Sequence, residues 1–142
     1  MRRTLPALVT AVALAFPAAG SWAAVEAPKT APQKRTIVTV KRYTGPAVDM
    51  RWGPVQVTAK IKITTTITGT RKKVARKLTD TVATYPTERE RSAYINEQAV
   101  PILRTEALQA QTAHIDLVSG ATMTSEAYAQ SLQAALQTGR LT

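Results

Sequence analysis

VQVTAKIKITTTITG, residues 55–69, alternates apolar and polar side chains along almost its whole length. Val55, Val57, Ala59, Ile61, Ile63 and Ile67 share one parity; Gln56, Thr58, Lys60, Lys62, Thr64, Thr66 and Thr68 share the other. A period of two is that of a β-strand with one face buried and one in water. Gly69 ends the run. TRKKVARK (70–77) is expected to turn the chain as a long basic hairpin tip, and KLTDTVATY (77–85) to return antiparallel until Pro86. Upstream, RTIVTVKRY (35–43) is short and β-branched, a first strand, and the Gly- and Pro-rich TGPAVDMRWGP (44–54) reads as a structured loop.

Beyond Pro86 the period changes. Ile95, Ala99, Ile102 and Leu103 fall on one helical stripe, interrupted by Pro101, so two helices or one kinked helix are expected between about Arg91 and Gln111. HIDLV (114–118) reads as a short extended piece. A final helix from Ser125 to Gln137 carries the stripe Tyr128, Leu132, Ala135 and Leu136, with Thr124 as its N-cap and Gly139 as its stop. Strands followed by helices imply an α+β domain: a small antiparallel sheet with helices packed on one face, and a last helix following the SGAT turn.

The N-terminus has a different composition. Arg2 and Arg3 precede an apolar run, LPALVTAVALAF, and then the small residues of PAAGSWAA. These are the parts of a secretory signal, with cleavage after Ala23 or Ala24. A retained N-terminal anchor is the alternative. The expected organisation is a signal peptide at 1–23, a flexible linker at 24–34 and one domain at 35–142. The formal charge is +10, and removal of residues 1–23 takes away two arginines and no acid, leaving +8. Such a balance suits nucleic acid, but export argues against it; an anionic membrane surface or an acidic partner fits better. The chain has no cysteine and one histidine. Disulfides, iron–sulfur clusters, thiolate catalysis and multi-histidine metal sites are excluded, so redox work would need an organic cofactor.

The turn SGATMTS, residues 119–125, is hydroxyl-rich beyond what a helix start requires. Backbone amides at a helix N-terminus form an anion site. Gly120 permits a backbone with positive φ, Ala121 leaves room for a bulky group, and Thr122 precedes the expected cap with its hydroxyl free. On these residues alone a plain helix cap remains the commoner reading.

DLVSGATMTS resembles the flavinylation motif of the FMN-binding domain family, found in the C subunit of the sodium-translocating NADH:quinone reductase, the G subunit of the Rnf complex and many small exported proteins. Asp116, Ser119, Gly120, Ala121 and Thr122 match its pattern in order, and Thr124 and Ser125 complete the longer form. GPAVDMRWGPVQV, RSAYINEQAVPIL and SLQAAL also resemble segments of small members. The resemblance implies FMN held covalently on Thr122 through a phosphoester bond, installed by an exported flavin transferase that uses FAD. The long basic hairpin departs from the short turn of many members, which bears on docking partners and not on the attachment site.

For the remaining candidates two readings stand side by side. Asp116 is a turn hydrogen-bonder that the transferase also recognises, or a metal ligand or base. His114 is an exposed residue at a helix end, or a catalyst. Trp52 and Tyr43 are packing residues, or stack on an isoalloxazine ring. Arg71, Lys72, Lys73, Arg76 and Lys77 form a solvated turn, or dock on an acidic or anionic surface. The expected function is an exported electron-transfer carrier on the periplasmic or extracellular face of the cytoplasmic membrane, reduced by a membrane redox donor. A non-redox basic binding module and a small flavin-dependent reductase are the alternatives.

Overall fold

The computed structural model describes residues 31–141. The expected signal peptide and most of the expected linker lie outside the described residues. Six elements follow: β1 (Lys34–Thr44), β2 (Val48–Met50), β3 (Gly53–Thr68), β4 (Arg71–Thr84), α1 (Glu90–Ala110) and α2 (Thr122–Thr138). The long alternating run is the hub of the sheet, since β1, β2 and β4 all pair antiparallel with β3. The expected loop 44–54 thus contains a short strand of its own. Gly45 N–H donates to Val57 O at 2.8 Å, extending the ladder past the end of β1.

Val55, Val57, Ala59 and Ile61 are fully buried, as the alternation predicts. Both helices pack on this side, α1 chiefly against β4 and α2 against β3. The buried centre joins Val57, Ala59 and Ile61 to Leu78, Leu103, Ala107, Tyr128, Leu132, Ala135 and Leu136. Ile63 and Ile67 lie further along and are only partly buried.

The hairpin differs from expectation. Its turn is two residues, Gly69 and Thr70, with Gly69 at φ +58 in a conformation that favours glycine. The basic run therefore belongs to β4 and not to a loop. Arg71, Lys72 and Lys73 sit opposite Thr68, Ile67 and Thr66 and face no cation across the ladder, whereas Lys77 at the end of the run sits opposite Lys62. The weak alternation in 77–85 also has a cause. Lys60 pairs with Asp80 but Ile61 pairs with Leu78, leaving Thr79 as a bulge. The bulge switches parity, and Leu78 before it and Thr81 after it are both buried.

Gln111 locks this irregular point. It ends α1 in a left-handed conformation, φ 57. Its side-chain amide donates to Leu78 O at 2.9 Å and accepts from Leu78 N–H at 2.7 Å. The helix before it is continuous through Pro101, and its buried stripe is Asn96, Ala99, Leu103 and Ala107. Ile102, expected on that stripe, is 47 % exposed. The expected extended piece HIDLV pairs with no strand. Ala113, Ile115 and Val118 instead pack against the core from an irregular loop.

Asp80 accepts from Lys60 Nζ at 2.8 Å and Arg104 Nη2 at 2.7 Å. The Lys60 hydrogen bond, with Arg104 adding to it, holds this carboxyl below the usual carboxylate value against the opposing effect of burial. A lowered folded-state pKa contributes stability that is present above the unfolded value, about 4, and lost as pH falls through the folded value. Asp80→Asn should therefore be less stable than wild type near neutral pH, with the gap closing at acid pH. Urea midpoints at stepped pH measure this; parallel acid profiles would contradict it.

Candidate functional site

The first residues of β3 meet the starts of both helices. Arg51 and Trp52 join β2 to β3, and Gly53 follows at φ +119. A side chain at Gly53 would be strained, and its Cβ would lie 2.9 Å from the Pro86 ring. This close approach sets the turn against the segment leading into α1. The guanidiniums of Arg51 and Arg89 lie 5.0 and 5.2 Å from the Trp52 ring centroid, within cation–π range. Arg89 is the N-cap residue of α1, and its extended backbone starts the helix there.

The loop before α2 forms the facing wall. Gly120 has φ +82, with nothing within 4 Å of where a Cβ would stand. The positive φ that its sequence position suggests is thus present. Ser125 braces the loop: its hydroxyl donates to Ala121 O at 2.9 Å and accepts from Val118 N–H at 3.0 Å.

Thr124 is not the cap of the last helix. The helix starts at Thr122, its N-cap residue is Ala121, and no side chain caps it. Thr124 is 5 % exposed, and its hydroxyl donates to Asn96 Oδ1 at 2.8 Å. Asn96 is itself 1 % exposed on α1, and a buried amide oxygen needs a donor. That demand claims the hydroxyl that would otherwise cap. Thr122, in contrast, is exposed. With no cap, the amides of Thr122, Met123 and Thr124 have no helical partner.

Between these walls lies a cavity of ≈ 700 Å³. Met50 and Trp52 line it from the β2–β3 turn, Arg89, Arg91, Ile95 and Asn96 from the start of α1, and Gly120–Thr124 from the loop and α2. Of the motif, Gly120, Ala121, Thr122 and Thr124 reach the cavity. Asp116 and Ser119 are exposed outside it, and Ser125 is buried behind it. Trp52 lines the cavity. Tyr43 does not: it packs on the edge of the core, beside Gly139. His114 is exposed beside a separate hollow of ≈ 300 Å³. Arg89, Arg91 and Asn96 are site residues that the sequence patterns do not single out. The one available signal was Asn96, a polar residue three positions before Ala99 on the buried stripe.

A flat aromatic face, nearby guanidiniums and unpaired helix amides together suit an aromatic ring system carrying a phosphate. Fold and cavity thus define a small α+β domain built for a phosphorylated aromatic ligand. The model of the FMN-binding domain family matches residues 51–137, and the chain belongs to this family. A comparison with curated proteins finds no match. The match takes in the whole cavity wall except Met50. The donor set fits FMN: Trp52 supplies an aromatic wall, Arg89 and Arg91 supply charge suited to the phosphate, and Thr122 lines the same cavity.

Proposed function

We propose that the protein is an exported electron carrier with FMN attached to Thr122, working at the outer face of the cytoplasmic membrane. One observation carries the choice of residue. Thr122 is exposed and lines a cavity with aromatic and cationic walls, whereas Thr124 is buried and its hydroxyl is already donated. In attachment, Thr122 Oγ bonds to the flavin-side phosphorus of FAD; the pyrophosphate P–O bond breaks, AMP leaves, and the hydroxyl proton passes to solvent or base. The transferase supplies FAD and the catalysis. Asp116 and Ser119, exposed outside the cavity, are free for the transferase to read. FMN supplies the redox chemistry when bound.

The residues of this chain then have defined tasks. Trp52 and Ile95 exclude water from one side of the cavity. Arg89 and Arg91 offset the phosphodiester charge, and positive charge near a bound flavin favours its reduced, anionic form. The donor is a membrane redox protein.

Mixing the flavinylated protein with energised membranes of its host should bleach the visible flavin band, and reoxidation should follow on adding an acceptor. Steady consumption of reduced nicotinamide by the isolated protein, without membranes, would instead establish the reductase reading.

A further inference from the structure

The charge of the molecule is concentrated on its sheet. The three long strands carry eleven basic residues, four on β1, two on β3 and five on β4. Their one acid, Asp80, is already neutralised by Lys60 and Arg104. The other acids of the described residues lie on β2, α1, α2 and the loops.

Register sorts these charges by face. The odd positions of β3 turn toward the helices, so the even positions turn away, with their cross-strand partners. Lys62 stands between Val40 and Lys77 on the outward face, Thr66 is beside Lys73, and Thr68 is beside Arg71. Lys62, Lys73 and Lys77 are exposed. Val38 and Val40 on the same face are 52 % and 58 % exposed. Among the described residues, no element covers this face.

We propose that the outward face of the sheet binds the anionic phospholipid surface of a membrane. A broad array of lysines and arginines interleaved with short apolar side chains suits a plane of phosphate headgroups. A protein partner generally needs buried aromatic anchors in a pocket, and this face presents valine and threonine instead. Position supports the same reading. At about 3.3 Å per residue, Thr68 lies on the order of 50 Å along β3 from Gly53 at the cavity end. The basic hairpin end is thus far from the cavity. The basic face anchors, and the far end remains open for electron exchange. The proposal is independent of whether Thr122 carries flavin.

The test is co-sedimentation of the chain, produced in its own host, with vesicles of phosphatidylcholine alone or mixed with phosphatidylglycerol. Binding is expected only to the anionic vesicles, and it should weaken steeply with salt. Replacing Lys62, Lys73 and Lys77 by Gln should lower vesicle affinity on the order of a hundredfold, and replacing them by Arg should preserve it. The thermal midpoints of both variants should stay near wild type, which separates lost binding from lost fold. The salt titration of the wild-type chain decides the same point without any variant. Equal binding to neutral vesicles overturns the proposal, as does unchanged binding of the folded Gln variant. Retention on immobilised polyglutamate without binding to anionic vesicles also overturns it and assigns the face to an acidic protein.

Discussion

Thr122→Ala is expected to remove covalent flavin completely and to leave the fold nearly unchanged. The exposed Thr122 side chain contributes little to packing. Thr124→Ala should do the opposite. Its hydroxyl is buried and donates to Asn96 Oδ1. Its loss leaves that oxygen unpaired in the interior, at a cost of about 1–3 kcal/mol. For a domain of this size that is a fall of roughly 4–20 °C in thermal midpoint. The acceptor hydroxyl at Thr122 remains, so labelling should persist in the folded fraction. Thr122→Ser keeps an oxygen nucleophile and should be labelled in part. Co-expression with the flavin transferase, denaturing-gel fluorescence and peptide mapping read all three variants. Flavin on the Thr122→Ala protein would contradict the assignment.

Gly45→Ala should be the most damaging small substitution in the fold. An added Cβ at Gly45 would stand 2.0 Å from Ser131 O, and 2.7 Å from the Ser131 side-chain oxygen. Ser131 is the hook that holds α2 to the sheet. Its hydroxyl accepts from Val57 N–H at 2.9 Å and donates to Pro46 O at 2.8 Å. Backbone cannot yield as a flexible side chain can, so α2 must move or the hook must open. Overpacking of this kind costs about 3 kcal/mol, on the order of 15 °C in thermal midpoint. Differential scanning calorimetry tests it, and a midpoint within a degree or two of wild type would show that the contact is loose. Since α2 carries Thr122, labelling should fall as well.

The sheet was legible in the sequence where burial was one-sided. Val55, Val57, Ala59 and Ile61 declared their face because polar residues alternate with them from Gln56 to Lys62. The stripe of α2 was legible for the same reason: Tyr128, Leu132, Ala135 and Leu136 are all buried. The start of β4 was not, because its charges are exposed on both faces of the outer sheet and leave no apolar period to read. The Thr79 bulge then switched parity within the part that did have one. Pro101 suggested a break in α1, yet α1 continues through it, packed on β4.

At the site, the loop motif and the left-handed Gly120 were legible from residue type alone. The role of Thr124 was not, because the rule for capping is local and the claim of Asn96 is not. Those two residues meet through a hydrogen bond spanning 28 positions. Arg89 and Arg91 were hidden for a similar reason. In sequence they read as surface charge at a helix start, and only the packing of Pro86 on Gly53 brings Arg89 to Trp52.

The most direct test of the central claim is the intact mass of the chain purified from its native host, with peptide mapping. The expected species begins at Ala24 or Val25 and is heavier than the bare chain by one FMN less one water, with the added mass on the peptide containing Thr122. A bare chain, from a host that flavinylates its other FMN-binding domains, would contradict covalent attachment and with it the carrier function argued from Thr122.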